Sequence, residues 1–152
     1  MALNIKDLTI TSPDVPADGR MADRHARDRE NLAPRLRVTG VPEGTAELAI
    51  VCHDPDAPRP WGFTHWTLYG VPADTTEIGP DADARFRPGD NGFGDQGYGG
   101  PRPPAGHGPH HYYFWVYALS RPVEGTPSLR DFLDDYGDAV IEQNRVVGVY
   151  ER

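Results

Sequence analysis

The sequence predicts a mainly β protein built on an antiparallel sheet, with a helix near the C-terminal end. Three observations carry this. Short runs rich in β-branched and aromatic residues outnumber helical stripes, turn formers bound those runs, and no strand–helix–strand alternation runs through the chain. Short turns suit antiparallel neighbours, whereas parallel strands need long crossovers, which removes a doubly wound reading.

In chain order, residues 3–10 form the first strand candidate, and the polar segment 12–29 reads as an exposed, mobile connection. Residues 46–52 are the next strand, with Leu48, Ile50 and Cys52 on one face because alternate residues share a face. A further strand is expected over 64–69. Val41-Pro42-Glu43-Gly44 and Val71-Pro72-Ala73-Asp74 look like turns closing adjacent strands. From Pro88 to Pro109, thirteen of 22 residues are Gly or Pro, which breaks both regular structures and predicts one long loop. A loop of that length is usually functional or disordered. It runs into His110-His111-Tyr112-Tyr113-Phe114-Trp115-Val116-Tyr117-Ala118-Leu119, expected as a central strand. Leu129, Phe132, Leu133, Tyr136 and Val140 follow a helical stripe, with Thr126-Pro127 as N-cap and first helical residue, and Gly137 kinking or splitting the helix. Residues 145–150 give the last strand.

At 152 residues the chain is sized for one domain, taken as 1–152. No apolar run approaches the roughly 20 residues of a membrane-spanning helix. The N-terminal residues lack the pattern of a secretory leader, so a cytoplasmic location is expected. The formal charge is −8, and Lys6 is the only lysine beside fourteen scattered arginines. That field repels nucleic acid and anionic lipid surfaces, which excludes nucleic acid as a partner and strong membrane binding. Binding of an anion would have to be a short-range property of one pocket. Cys52 is the single cysteine, so neither an intramolecular disulfide nor a multi-thiolate metal site is available.

Five of the six histidines fall between residues 53 and 111, and Asp54 and Asp56 sit beside the first of these. His53-Asp54-Pro55-Asp56-Ala57-Pro58 ends one strand, and its prolines restrict how the two carboxylates are aimed. His65-Trp66 opens the next, so Asp54 is expected to meet His65 if the strands are neighbours. His110 and Tyr112 share a face of a third strand. The glycine-rich loop lacks Gly-Lys-Ser/Thr, and its prolines cannot open a helix, which rejects a nucleoside triphosphate site.

These residues resemble a known family. Asp54-Pro55-Asp56-Ala57-Pro58, His65-Trp66, and a Gly-Tyr-Gly-Gly-Pro-x-Pro-Pro-x-Gly stretch ending in His-x-Tyr look like the phosphatidylethanolamine-binding protein family, in its bacterial, Raf kinase inhibitor-like branch. Glu30-Asn31-Leu32-Ala33-Pro34, Val41 to Thr45 and Asn91 to Gly94 match further elements of that pattern. The resemblance implies a large antiparallel sheet packed against a smaller one, with one or two C-terminal helices. It implies a pocket for a small anion or phosphorylated small molecule, formed by Asp54, His65, His110 and Tyr112, with Arg102 and Pro103 at the rim and Asp56 and Trp66, or Trp61, in support. It implies a cis Ala57-Pro58 bond. The favoured reading has neither cofactor nor metal and no enzymatic activity, since the chain carries no compact His-x-x-x-His or Glu-paired motif and no obvious general base. The chain departs from the family pattern at Ala33, Val38, Arg102 and His111, none of which removes a pocket side chain. Arg102 would add a permanent cation, favouring a doubly charged ligand.

In the favoured reading His65 and His110 donate hydrogen bonds to the anion and supply most of its positive counter-charge as imidazolium. Tyr112 adds a hydroxyl, and Asp54 orients an imidazole. The alternative is a metal-dependent hydrolase with Asp54, His65 and His110 as ligands. A serine hydrolase is weaker, since there is no Gly-x-Ser-x-Gly elbow and the serines are only Ser12, Ser120 and Ser128. The family also includes regulators that act through protein partners, and a homodimer is compatible with the sequence.

Overall fold

A computed structural model describes residues 4–17 and 19–152. Eight strands form two antiparallel sheets. The smaller contains β1 (Thr9–Thr11), β2 (Leu36–Thr39) and β5 (Glu77–Ile78) in the order β1-β2-β5. The larger contains β3 (Glu47–Asp54), β4 (Phe63–Pro72), β6 (Arg87–Pro88), β7 (His110–Leu119) and β8 (Val140–Tyr150), in the order β6-β4-β3-β7-β8. The helices are α1 (Ala82–Arg85) and α2 (Leu129–Tyr136), with short 3-10 turns at Asp23–His25 and Gly137–Ala139.

The core lies between the sheets. Leu48, Ile50 and Cys52 of β3, Trp66 and Leu68 of β4, and Phe114, Val116 and Ala118 of β7 face Ile10, Leu36, Val38 and Ile78 of the small sheet. The opposite face of the large sheet is partly covered by α2. There Phe132 packs with Ala49, Val51, Tyr69, Tyr117 and Leu119. Period-two alternation on β3 and β7 thus serves two apolar layers, which explains why both strands read as nearly continuous hydrophobic runs.

The predicted architecture is present, with local differences. The first strand is only Thr9–Thr11, and Leu3 lies outside the described residues. The segment 12–29 is not wholly exposed: several of its described residues are anchored in the fold. Asp14, Val15, Met21, His25 and Ala26 are buried, and Met21 and Gly19 exchange backbone bonds with Val149. Asp14 accepts hydrogen bonds from the backbone amide and guanidinium of Arg35 and from Arg24. The Val41–Gly44 and Val71–Asp74 turns do not join adjacent strands; each carries the chain from one sheet to the other. The cap of α2 is Ser128, whose Oγ accepts from the Asp131 amide, two residues beyond the expected Thr126. Gly137 ends α2, and Val140 already belongs to β8.

Among the described residues no peptide bond is cis, so Ala57-Pro58 is trans, against the expectation. The trans form is the intrinsically preferred one even before proline. Here the Arg59 amide donates to the Ala57 carbonyl at 2.7 Å, a three-residue turn centred on Pro58. Proline's fixed φ suits that turn without isomerisation.

Candidate functional site

The site forms at one end of the large sheet, where β3 stops, β4 starts and β7 begins. Its register contains a device that alternation alone does not reveal. Cys52 pairs with Trp66 and His53 with Thr64, which leaves His65 as the extra residue of a β-bulge. Bulges re-aim side chains. Trp66 keeps its place in the inter-sheet core while His65, its neighbour in sequence, also turns to the inner side and lines a cavity.

That cavity, about 460 Å³, is lined by Asp54, His65, His110 and Tyr112, with Arg102 and Pro103 at its edge. Its size is that of a small-molecule site. All six pocket and rim positions expected from the sequence therefore meet in one place. Arg59, Phe63, Gly92 and Phe93 also line it. Arg59 and Phe63 were not anticipated, although Arg59 follows the Asp-Pro-Asp-Ala-Pro run directly and Phe63 precedes His65 by two. Phe63, Phe93, His65 and Tyr112 form a ring-on-ring wall, with centroids 4.6 to 5.6 Å apart. Arg59 lies over Phe63 at 5.0 Å and Arg27 over Phe93 at 4.5 Å.

Hydrogen bonds fix the two histidines differently. His65 Nδ1 is 2.6 Å from the Gly99 carbonyl oxygen. A carbonyl only accepts, so Nδ1 carries the proton. Burial lowers the His65 pKa to about 4, so the ring is neutral at pH 7 and its Nε2 presents a lone pair. The expectation of an imidazolium at His65 is thereby corrected. Asp54 pairs with His110 and not with His65: its Oδ2 lies 2.6 Å from His110 Nδ1, both side chains being buried. Asp54 Oδ1 accepts from the Asp56 amide at 2.7 Å. His110 Nε2 is 2.6 Å from His107 Nδ1, so both ring nitrogens of His110 are engaged within the protein.

Tyr112 is 1% exposed, yet among the described residues its hydroxyl has no hydrogen-bond partner. Burial, and then the nearby Asp54 charge, push its pKa far up, so it remains a neutral donor.

The supporting positions act at one remove. Asp56 accepts from the amide and Nδ1 of His111 at 2.8 and 2.7 Å. Partial burial opposes ionisation of Asp56, but those bonds leave its pKa below the ordinary value. Trp66 does not line the cavity; its Nε1 donates to Asp83 Oδ1, while Asp83 Oδ2 accepts from the Tyr98 amide and so ties the glycine-rich loop to α1. Trp61 is 75% exposed and belongs to a separate groove on the opposite face of the sheet, with His53, Trp115 and Leu129. Asn31, at φ 53°, secures the same loop from the other side: its Nδ2 donates to the Tyr98 carbonyl and its Oδ1 accepts from the Gly100 amide.

Metal ligation by Asp54, His65 and His110 finds no assembled donor set. Asp54 and His110 are bonded to each other through a protonated Nδ1, and among the described residues no group of three His, Cys, Asp or Glu side chains has a metal-site arrangement. Cys52 is fully buried, and burial pushes its thiol well up, away from nucleophile chemistry.

Two antiparallel sheets with a partly polar cavity of small-molecule size at the end of the larger one define the class of this β-sheet protein. The phosphatidylethanolamine-binding protein family model matches residues 11–151, and the chain belongs to that family. It is 38% identical to a UPF0098 protein of Aquifex aeolicus over 82% of this chain and 77% of that one. It is also 38% identical to a UPF0098 protein of Methanothermobacter thermautotrophicus, over 88% and 92%. Among solved structures, Escherichia coli YbcL, described as a member of the mammalian PEBP family, superposes with a TM-score of 0.87 at 32% identity, covering 97% of this chain and 99% of that one. A PEBP homologue from Chlamydia trachomatis gives 0.86 at 25% identity, covering 95% and 97%.

Proposed function

We propose that this chain is a non-enzymatic, Raf kinase inhibitor-like binding protein whose cavity receives a small anion or the phosphorylated head of a small molecule. The observation that carries this reading is the unpartnered Tyr112 hydroxyl, buried beside the cavity. Leaving such a group unpaired costs about 1–3 kcal/mol, which a ligand oxygen would offset.

Arg59 and Arg102 supply permanent positive charge at the mouth, in a chain whose net charge is −8. His65, neutral with a lone pair at Nε2, accepts a hydrogen bond from a protonated phosphate oxygen, so the favoured ligand keeps one acidic proton. A binding role is favoured over catalysis because no nucleophile is positioned by the Asp54–His110 pair. Ser12 and Ser128 bond to the Arg35 carbonyl and the Asp131 amide. Among the described residues no helix is long and apolar enough to cross a membrane. The recognised element in this proposal is the phosphate group, and the cytoplasmic setting is part of the proposal.

The test is calorimetric titration with inorganic phosphate and with O-phosphoethanolamine, in parent and His65→Ala protein. Saturable single-site binding, weakened in the variant, supports the reading. Absence of binding by the parent to either probe refutes it.

A further inference from the structure

We propose that His107 is an internal competitor for the anion site, a side chain that occupies His110 Nε2 and must be displaced before a ligand oxygen can reach that atom. The inference rests on the anion-binding reading and adds its regulation.

Three observations carry it. First, His110 has two ring nitrogens and both are taken: Nδ1 by Asp54 at 2.6 Å and Nε2 by His107 Nδ1 at 2.6 Å. Asp54 accepts only, so its bond fixes a proton on Nδ1, and Nε2 is the one atom of His110 left for recognition. As long as His107 stays in place, His110 borders the cavity without a free polar atom. Second, His107 is exposed, and among the described residues its side chain makes polar and ring contacts with His110 alone, namely that hydrogen bond and a tilted ring contact at 4.9 Å.

Third, the backbone on both sides of His107 is glycine in the left-handed region, Gly106 at φ 76° and Gly108 at φ 89°. A Cβ at either glycine would meet no atom within 4 Å, so the pair is there for backbone freedom and not for close packing. Among the described residues the backbone hydrogen bonds donated by this segment are those of the Gly106 amide to the Arg152 carbonyl at 3.2 Å and the His107 amide to the Pro104 carbonyl at 3.1 Å. A histidine between two such glycines can swing outward without moving β7, in which His110 sits.

Once His107 leaves, the Asp54-oriented imidazole of His110 can meet the anion at Nε2, accepting from a protonated oxygen or donating as imidazolium. The two states then differ by one hydrogen bond exchanged between an internal and an external partner. Net values for such exchanges correspond to about two- to tenfold in affinity.

The experiment is titration of the full chain with inorganic phosphate at pH 7, comparing parent, His107→Ala and His110→Ala. The expected result is binding about two- to tenfold tighter in His107→Ala and weaker than parent in His110→Ala. Unchanged or weaker binding in His107→Ala, with His110→Ala still impaired, overturns the competitor while leaving the pocket reading intact. Failure of both parent and His107→Ala to bind removes the pocket reading and the competitor with it. A second readout is the imidazole 15N spectrum. Added phosphate should shift His107 Nδ1 toward a solvent-exposed value, and a His107–His110 bond that persists at saturation contradicts the proposal.

Discussion

His65 and Gly99 hold each other by two reciprocal hydrogen bonds: the His65 Nδ1–H donates to the Gly99 carbonyl at 2.6 Å, and the Gly99 amide donates to the His65 carbonyl at 2.9 Å. The glycine-rich loop is thus docked onto β4 at the residue that the bulge turns inward. That docking sets the tautomer of His65 and hence what its Nε2 can recognise.

Gly100 makes this docking possible. A Cβ there would lie 1.9 Å from the His25 carbonyl oxygen, which is backbone and cannot yield cheaply. Gly100→Ala is expected to destabilise the fold by about 1–3 kcal/mol and to weaken phosphate binding. Thermal unfolding and titration check it. An unchanged melting temperature would mean that the loop has room the geometry denies it.

The pH dependence follows from His65. Burial holds its pKa near 4, so above that value the proton at its Nε2 must come with the ligand. A phosphomonoester loses its second proton near pH 6, and the bound state keeps one proton between Nε2 and a phosphate oxygen. Binding therefore takes up a proton above about pH 6, and affinity falls as pH rises from about 6 to 8. Arg59 and Arg102 stay charged and reduce the slope without reversing it. Calorimetry of O-phosphoethanolamine in buffers of different ionisation enthalpy measures the uptake; affinity that climbs with pH contradicts the assignment.

Asp14 gives a stability prediction remote from the site. The Arg35 guanidinium bonded to it outweighs burial and, with the Arg35 amide and Arg24, holds the Asp14 carboxyl well below the usual range. The contribution is fully present above the unfolded-state value of about 3.9 and is lost as pH falls below it. Asp14→Asn should cost about 1.5–3 kcal/mol at pH 7. The difference from the parent should shrink on acidification through about pH 4 to 3, which urea unfolding at several pH values would show.

Much of this was legible in the sequence, for identifiable reasons. Strands β3, β4 and β7 announce themselves because both faces are covered and their apolar runs are long. The pocket side chains Asp54, His65, His110 and Tyr112 were carried by the resemblance to a family. What escaped was set by tertiary partners. β2 and β5 have four and two residues, too few for a pattern. The segment 12–29 looks polar, yet Asp14 is buried where Arg35, from beyond the segment, and Arg24, ten residues further along it, bond to its carboxylate. The bulge at His65 cannot be seen in one strand, since it exists only relative to β3. The exchange of Asp54's expected partner, His110 in place of His65, has the same origin.

Tyr112→Phe tests the central claim most directly, because it removes one oxygen and nothing else. The hydroxyl is buried without a partner, so its loss should leave the melting temperature unchanged or raise it. If that hydroxyl awaits an anion, the same change should weaken binding of inorganic phosphate at least about tenfold, the expected loss for a hydrogen bond to a charged group. A stable variant with greatly reduced affinity is the predicted result. A Tyr112→Phe protein that binds phosphate as tightly as the parent would contradict the pocket's assignment as an anion site.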